Sequence, residues 1–236
     1  MQPFHIAIDG PVAAGKGTIS RLVADRLQFL YVDTGAMYRV TALIGERAHV
    51  SFEDEDQLVT LLTESHIDMR NPLEQEKDGR LTTVLLNGED VSWAIRTETV
   101  GKGASQVALL PAIRKVLVEK QQQIAQNQNV VMEGRDITYR VLPDAQLKIY
   151  LTATDTVRAK RRHMQLLTKG QAATFEEVYA ELLQRDKRDT TRSSDPLKMV
   201  GDAWKIDSSD FSIEQVVEFI VAKVKVMHEQ LNTVTQ

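Results

Sequence analysis

A glycine-rich segment near the start of the chain carries residue types that bind phosphate groups. In the stretch IDGPVAAGKGT, Gly10, Gly15 and Lys16 have the spacing G-x-x-x-x-G-K, and Thr18 follows two residues later. Glycines let the backbone curl so that successive N–H groups point at phosphate oxygens, and a lysine adds a full positive charge. The segment predicts a phosphate-binding loop made of Gly10, Pro11, Val12, Ala13, Ala14, Gly15, Lys16, Gly17 and Thr18.

The residues on either side of this loop predict the strand and helix that it requires. The apolar run 6–8 is typical of a short buried strand, and Ile19, Leu22, Val23 and Leu27 have the spacing of one helix face. Strand, glycine-rich turn and helix in this order separate a phosphate loop from a chance glycine-rich turn. We therefore expect the loop to bind a nucleotide.

Gly17 stands where the standard loop has a Ser or Thr whose hydroxyl helps to hold magnesium. The form G-K-G-T resembles the nucleoside monophosphate kinases. That resemblance implies a Mg²⁺ ion that arrives on the phosphates of ATP and keeps several waters, so few protein ligands are expected. The chain has 5 histidines without metal-ligand spacing and no cysteine, and we predict no metal site built from protein ligands alone.

Charged residues lie at the predicted C-terminal ends of several strands. Asp9, Asp33 and the pair Arg135-Asp136 hold such positions. The carboxyl ends of parallel strands meet at one edge of a sheet, where ligands bind in folds of this kind. We expect these side chains to lie beside the phosphate loop.

Two groups of arginines in the second half of the chain have helical spacing. Arg158, Arg161 and Arg162 are related by i, i+3 and i+4, so they lie close together on one helix face. Their mutual repulsion is either screened by solvent or offset by a bound polyanion. Because the chain also has a phosphate loop, we favour the interpretation that these arginines bind a polyanion.

The second arginine group consists of Arg185, Arg188 and Arg192, together with Asp189. Arg185 and Asp189 are four residues apart and are compatible with an ordinary surface ion pair. Alternatively, Asp189 accepts hydrogen bonds from a ribose while the arginines bind phosphate. The spacing leaves both readings open.

Five short strands alternating with helices predict an α/β fold, a five-stranded parallel sheet with helices on both faces. The strands are expected at 6–8, 29–33, 130–132, 147–151 and 204–207. Helices are expected at about 155–168 and 175–190, and the core face of the last helix is predicted to be Ile213, Val216, Val217, Ile220 and Val224. Thr97 and Pro111 mark two helix starts, and capping boxes are predicted for Ser51 with Asp54, Thr174 with Glu177, and Ser212 with Gln215.

Residues 65–96 have a different character. Strand-like runs at 66–69 and 81–86 are separated by a polar segment and end at Asn87-Gly88, which is typical of a hairpin turn. The small antiparallel sheet predicted here is either a substrate-covering subdomain or a surface hairpin.

The composition excludes several classes of function. The chain has 236 residues, a net charge of −4 and a pI near 5.8, so it has no general attraction to nucleic acid. No stretch approaches the ~20 apolar residues of a membrane span, and the first apolar run leads into the phosphate loop rather than into a signal peptide. We expect a cytoplasmic protein.

The motifs occur together in a recognisable order. IDGPVAAGKGT, DTGAMYR, GEDV with IRT, SQVA with PAIR, EGRD, and RDKRD with TTR follow one another from residue 4 to about 224. In this set the chain resembles the bacterial-type cytidylate kinases. The resemblance implies a P-loop kinase core at 1–33 and 97–230 with a helical lid at about 156–172, and monophosphate-binding helices with an antiparallel β insert at 34–96.

The resemblance also implies the reaction and its participants. ATP would give its terminal phosphoryl group to CMP or dCMP, with Mg²⁺ on the phosphates. The partners would be these small molecules, without nucleic acid or membrane, and the protein would be a monomer. Within the site, the positive charge that stabilises the transferred phosphoryl group would come from Lys16, Arg135, Arg158 and Arg192.

Further residues match the positions that contact CMP in this family. Those at the sugar are Thr34, Arg185 and Asp189. Those at the phosphate are Arg39, Arg135 and Arg192. Those that read cytosine are Ser105, Arg114 and Asp136. Arg158, Arg161 and Arg162 would belong to the lid.

The chain departs from the family pattern after Asp136. Such kinases usually continue with Gly-Thr and an aliphatic residue, whereas this chain has Thr138-Tyr139-Arg140. A glycine takes backbone angles that threonine resists, so the path of this loop is in question. Arg140 is either an added phosphate or lid contact, or a surface residue that is solvated or paired with Asp144.

Three other functions compete with this interpretation. The nearest is a kinase of similar fold for another small molecule such as UMP or shikimate. A non-enzymatic nucleotide-binding switch would need no second arginine group. A nucleic-acid-binding ATPase is disfavoured by the acidic balance and the absence of a basic stripe.

Overall fold

The computed structural model describes residues 2–168 and 170–234. In chain order, the strands are β1 (His5–Asp9), β2 (Leu30–Asp33), β3 (Ile67–Arg70), β4 (Thr83–Leu86), β5 (Glu89–Asp90), β6 (Val130–Gly134), β7 (Leu147–Thr152) and β8 (Trp204–Asp207). The helices are α1 (Lys16–Leu27), α2 (Thr34–Arg47), α3 (Glu55–Glu64), α4 (Glu98–Val107), α5 (Pro111–Ala125), α6 (Asp155–Thr168), α7 (Phe175–Thr191) and α8 (Ile213–Val234).

The central sheet has five parallel strands in the order β2-β6-β1-β7-β8. Alternate residues of a strand point to opposite faces, and each face here is apolar. Ile6 and Ile8 pack with α1 and α8, whereas Ala7 and Met132 belong to the larger cluster formed with α2, α3 and α5. The prediction of a five-stranded parallel sheet covered on both faces is therefore confirmed.

The inserted region forms a three-stranded antiparallel sheet in the order β3-β4-β5, and Asn87-Gly88 connects β4 to β5 as predicted. Its apolar side chains join the larger core cluster. Asn71 attaches it to the edge of the central sheet, because its Oδ1 accepts from Tyr31 N at 3.0 Å and its Nδ2 donates to Phe29 O at 2.8 Å. The insert is thus bound to the strand that leads into α2.

Most predicted helix starts are confirmed. Thr97 caps α4, Pro111 opens α5, and the Thr174–Glu177 box has both of its hydrogen bonds. The Ser212–Gln215 box also forms, with Ser212 Oγ accepting from Gln215 N at 3.2 Å. These local signals succeeded because each cap needs only residues within one helical turn.

Two predictions about helices were wrong. Asp54, and not Ser51, caps α3, because the chain turns between these residues and places the Asp54 carboxylate 3.1 Å from Gln57 N. Ile213 is 41% exposed, because it opens α8 at the edge of a cavity, whereas Val216, Val217, Ile220 and Val224 are buried as predicted.

The lid predicted at about 156–172 corresponds to α6 and the start of the turn into α7, with Lys169 outside the described residues. The two helices pack against each other. In the described part of the chain, no helix combines the length and apolar character needed to cross a membrane.

Candidate active site

A cavity of about 650 Å³ lies over the carboxyl ends of the central strands. Most of the predicted site residues line it: Val12, Ala13, Gly15, Lys16, Gly17, Thr18, Thr34, Arg39, Ser105, Arg114, Arg135, Asp136, Arg185, Asp189 and Arg192. Four predicted residues do not: Gly10, Pro11, Ala14 and Arg158. The fold therefore brings together residues that are more than 170 positions apart in the sequence.

The phosphate loop links β1 directly to α1. A Cβ atom on Gly10 would lie 1.9 Å from Leu151 O, so no other residue fits at the first motif position. Lys16 is 5% exposed, and its Nζ donates to Pro11 O at 2.8 Å. Burial, aided by the charge of Arg135, lowers the pKa of Lys16 to about 7, against the opposite effect of Glu133 and Asp9. A bound polyphosphate would favour the charged amine.

Glu133, the last residue but one of β6, explains the glycine at position 17. A Cβ atom there would lie 3.0 Å from Glu133 Oε1 and 3.4 Å from Tyr31 Oη. Tyr31 Oη donates to the same carboxylate at 2.8 Å and holds it in place. The side chain that a standard phosphate loop carries at this position is thus replaced by a carboxylate from the neighbouring strand. Burial and the charge of Asp33 raise the pKa of Glu133.

Asp9 is fully buried and does not line the cavity. Its carboxylate accepts from Ile137 N at 3.0 Å, from Thr138 N at 2.8 Å and from Thr138 Oγ1 at 2.7 Å. Burial raises the pKa of Asp9 despite these hydrogen bonds. The strand-end acid therefore fixes the segment that follows Asp136.

The same contacts settle the path of the loop where the family pattern is broken. Residues 137–141 form one wide helical turn, in which Leu142 N donates to Ile137 O at 2.8 Å. Thr138, Tyr139 and Arg140 all have negative φ, so no glycine is required. Thr138 is compatible with this turn and adds a hydroxyl contact to Asp9 that a glycine lacks.

Arg114 and Asp136 form a buried ion pair on the cavity wall, and both side chains are less than 10% exposed. Arg114 Nε also donates to Asp195 Oδ2 at 3.0 Å, and its guanidinium carbon lies 5.7 Å from the centroid of the Tyr38 ring. Burial raises the pKa of Asp136 to about 6, although Arg114 and Arg192 act in the opposite direction.

Asp189 pairs with Arg135 at 2.7 Å and not with Arg185, so the simple surface pair suggested by spacing does not form. Within the described residues, the side chains of Arg185 and Arg188 make no hydrogen bond. Burial lowers the pKa of Arg185, and the nearby charges of Arg135 and Arg39 add to this effect. Like charges that face one cavity repel one another unless an anion binds among them.

Three smaller contacts place the remaining predicted residues on the cavity wall. Thr34 Oγ1 donates to Glu133 O at 2.8 Å, and Arg39 Nη1 donates to Ile95 O at 3.1 Å. Ser105 Oγ donates to Gly101 O at 3.3 Å in α4. Each side chain is held by a main-chain carbonyl, which leaves further hydrogen-bonding capacity towards the cavity.

The three arginines of α6 have different surroundings. Arg161 Nη2 donates to Ser208 O at 2.7 Å, and Arg162 Nη1 donates to Gln165 Oε1 at 2.7 Å; both arginines line the cavity. Arg158 is 3% exposed behind the phosphate loop, where its Nη1 donates to Val12 O at 2.9 Å. Arg158 therefore packs behind the loop, whereas Arg161 and Arg162 line the cavity, and helical spacing did not indicate this difference.

Arg140 lies outside the cavity wall, with a side chain that is 50% exposed. Its Nε is 3.6 Å from Asp195 Oδ1, so its partner is Asp195 and not the suggested Asp144.

Several cavity residues were absent from the predicted set. Glu133 immediately precedes Gly134-Arg135, and Arg96, within the IRT motif, lies 3.1 Å from the Asp33 carboxylate. A strand-end position could have indicated Glu133. Asp195, which contacts Arg114 from outside the cavity, has no sequence signal of its own.

A parallel α/β sheet with a phosphate loop at its carboxyl edge, and with several arginines lining the same cavity, defines a phosphate-loop nucleotide-binding protein. A family model described as cytidylate kinase matches residues 6–226. The chain belongs to the cytidylate kinase family, as its motifs suggested.

Named relatives agree with this assignment. The chain is 43% identical over 218 residues to a cytidylate kinase of Geobacillus sp. (strain WCH70), covering 92% of this chain and 95% of that protein. It is 45% identical over 220 residues to a cytidylate kinase of Pelotomaculum thermopropionicum, covering 93% and 95%. A solved shikimate kinase from Bacteroides thetaiotaomicron aligns with a TM-score of 0.45 at 14% identity, covering 94% of this chain and 98% of that one, which is too distant to support an argument about function.

Proposed function

We propose that the protein transfers the terminal phosphoryl group of ATP to CMP or dCMP, giving ADP and CDP or dCDP. The observation that carries this proposal is the arrangement of one cavity. The phosphate loop forms one part of its wall, the buried Arg114–Asp136 pair forms another, and arginines from α2, α7 and the end of β6 also line it. Membership of the cytidylate kinase family supports the same reaction.

The phosphate loop is the proposed ATP site. Its main-chain N–H groups and Lys16 would bind the phosphates, and the N-terminus of α1 adds positive potential. Lys16, Arg135 and Arg192 would stabilise negative charge on the transferred group. For Arg158, the contacts support an indirect role, because its guanidinium binds the loop carbonyl of Val12.

The acceptor is proposed to lie against the arginines and the Arg114–Asp136 pair. Arg39, Arg135 and Arg192 would bind its phosphate, and Thr34, Arg185 and Asp189 its sugar. Ser105, Arg114 and Asp136 would read the base. Cytosine offers an amino donor where uracil offers a carbonyl acceptor, so the carboxylate of Asp136 favours cytosine.

Mg²⁺ is the metal that such a reaction implies, and the residues beside the phosphate loop fit it. Glu133 and Asp33 both line the cavity, Glu133 Oε1 lies 3.0 Å from the Cβ position of Gly17, and carboxylate oxygens are ligands suited to Mg²⁺. They would hold the ion directly or through water. When bound, Mg²⁺ would neutralise charge on the phosphates.

The residues themselves supply positioning and charge. The acceptor phosphate is the nucleophile, so no side-chain nucleophile is needed, and catalysis depends on holding the reacting oxygens in line. Closure of the lid over the cavity would exclude the water that competes as acceptor. Arg161 and Arg162, which line the cavity from α6, would then approach the phosphates.

The family resemblance also supports a cytoplasmic, monomeric enzyme whose partners are nucleotides. Light scattering of the purified protein measures the oligomeric state. We further propose the domain division into a core at 1–33 and 97–230, a lid at about 156–172 and a monophosphate-binding part at 34–96.

A coupled assay with ATP, Mg²⁺ and a panel of acceptors tests the proposed function. CMP and dCMP should be phosphorylated well above UMP and shikimate. Preference for UMP or shikimate would support another small-molecule kinase, and ATP binding without transfer to any acceptor would support a nucleotide switch. Failure with both CMP and dCMP would overturn the proposal.

A further inference from the structure

Asp195 lies just beyond α7 and outside the cavity wall, with a side chain that is 20% exposed. Its backbone is left-handed, with φ of 46°, a conformation that Asp and Asn adopt more readily than most other residues. Two arginines of the cavity contact it. These arginines are the one proposed to read the base, Arg114, and the one proposed to bind the phosphate, Arg192.

The carboxylate of Asp195 fixes the orientation of Arg114. Arg114 Nε donates to Asp195 Oδ2 at 3.0 Å, Nη1 donates to Ala108 O at 3.3 Å, and Nη2 donates to Asp136. A guanidinium has five N–H donors in a rigid plane, so three contacts in different directions define its rotation. Asp195 therefore helps to set the plane in which Arg114 meets Asp136.

The main chain of Asp195 holds the other arginine. Arg192 follows the last residue of α7, and its Nε donates to Asp195 O at 2.8 Å, with a second hydrogen bond from Nη2. This places Arg192 Nη2 3.9 Å from the Asp136 Oδ1 atom. One residue thus positions two arginines on either side of the same carboxylate.

Tyr139, in the segment that departs from the family pattern, contacts the residues that follow Asp195. Tyr139 Oη donates to Pro196 O at 2.6 Å, and Lys198 Nζ lies 4.1 Å from the centroid of the Tyr139 ring. Leu197 N donates to Asp189 O at 2.8 Å, which returns the segment to α7. Tyr139 is therefore a structural contact of the 195–198 segment.

We infer that Asp195 is a positioning residue for acceptor recognition, which acts through Arg114 and Arg192 and contributes to the choice of cytosine over uracil. The inference rests on the proposed function. Without the Asp195 carboxylate, the guanidinium of Arg114 can rotate more freely. The Arg114–Asp136 pair then no longer presents one fixed hydrogen-bonding edge to the base.

Two variants separate the carboxylate from the backbone of Asp195. Asp195→Gly removes the carboxylate, tolerates positive φ and retains the carbonyl that binds Arg192. Asp195→Asn retains an oxygen acceptor and the left-handed preference but removes the charge. Asp144→Asn is the matched control, because Asp144 is exposed and lies outside the cavity wall.

Steady-state kinetics with CMP, UMP and ATP supply the readout. In Asp195→Gly we expect the KM for CMP to rise at least ~10-fold and the CMP-to-UMP ratio of kcat/KM to fall at least ~5-fold, consistent with loss of a charged hydrogen bond. The KM for ATP should stay within about twofold of the parental value. For Asp195→Asn, the KM for CMP and the CMP-to-UMP ratio of kcat/KM should lie between those of the parent and of Asp195→Gly.

An unchanged CMP-to-UMP ratio of kcat/KM in a folded Asp195→Gly protein would overturn the role of Asp195. An equal rise in the KM for CMP and the KM for ATP would also overturn it. If Asp195→Gly does not fold, Asp195→Asn decides by the same ratio. A parent protein inactive with CMP would instead overturn the proposed function, and this inference with it.

Discussion

Arg158 on α6 and Asp186 on α7 form an ion pair of 2.6 Å directly behind the phosphate loop. Both residues also bind the same loop residue, because Arg158 Nη1 donates to Val12 O at 2.9 Å and Asp186 Oδ1 accepts from Val12 N at 3.3 Å. Among the described residues, nine arginines line the cavity, and the two helices that carry four of them are thus attached to Val12 of the loop. The position of the loop depends on this pair.

Breaking the pair should impair the loop whichever partner is removed. Arg158 and Asp186 have side chains only 4% and 18% exposed, and removing one partner of a buried pair leaves an uncompensated charge. We expect Arg158→Ala and Asp186→Asn each to lower kcat at least ~10-fold and to lower the melting temperature by several degrees. Kinetics and differential scanning calorimetry measure both effects.

The control for this prediction is Arg21→Ala, which breaks an exposed i, i+4 pair with Asp25 and should change little. If Asp186→Asn keeps parental activity while Arg158→Ala loses it, Arg158 acts on the phosphates directly, as the family resemblance suggested, and not through the loop.

Lys16→Ala should reduce kcat by ~10² or more, because it removes a charge that interacts most strongly with the transition state. Lys16 also contacts its own loop through Pro11 O. Circular dichroism and the melting temperature therefore need to accompany the kinetics. Near-parental turnover in a folded Lys16→Ala protein would contradict the assignment of the phosphate loop.

Much of the fold was predictable because its signals are local. The phosphate loop, the strands and most helix caps depend on residues within a few positions of one another, and the structure confirms them. The failures at Ser51 and Ile213 also have local causes. A turn moves the first out of the capping position, and the edge of a cavity leaves the second exposed.

The site was less predictable because its contacts join distant parts of the chain. Helical spacing suggested Arg185 as the partner of Asp189, whereas the partner is Arg135, 54 positions away in the sequence. Asp195 contacts Arg114 across 81 positions, so no periodicity could reveal it. Resemblance to the family identified many of the charged residues on the cavity wall, but not Glu133 or Arg96, nor Asp195 behind the wall.

Glu133→Gln should weaken the binding of a divalent cation to the ATP complex by at least ~10-fold, because it removes a negative charge beside the phosphates without changing side-chain volume. Electron paramagnetic resonance of Mn²⁺ measures this affinity without relying on turnover. Glutamine retains an acceptor for Tyr31 Oη, so the local structure should persist. Unchanged Mn²⁺ affinity would remove Glu133 from the proposed metal site.

Arg140→Ala should match the parent for both ATP and CMP within about twofold. Its side chain is half exposed and 3.6 Å from the Asp195 carboxylate, and exposed pairs of this kind contribute little. Asp195 retains its contact with Arg114 in this variant. A rise of ~10-fold in the KM for either nucleotide would restore the alternative that Arg140 contacts phosphate in the closed enzyme.

Base selection should depend on pH through Asp136. Burial raises the pKa of this carboxyl to about 6, and the ionised form accepts a stronger, charge-assisted hydrogen bond from the amino group of cytosine than the protonated form does. At saturating ATP and Mg²⁺, kcat/KM for CMP should therefore fall as the pH decreases through about 6. A protonated Asp136 can donate a hydrogen bond to the uracil carbonyl. The ratio of kcat/KM for CMP to kcat/KM for UMP should therefore fall as the pH decreases over the same range.

Asp136→Asn and Asp136→Ala test the origin of that pH dependence. Both variants should lose most activity with CMP and show a reduced CMP-to-UMP ratio that no longer changes around pH 6, since the titrating group is gone. Measurement of kcat/KM is essential, because it reports the ionisation of the enzyme before the acceptor binds. A parental CMP-to-UMP ratio in either variant would place the base elsewhere in the cavity. A pH dependence that persists in both variants would assign the titration to a different group.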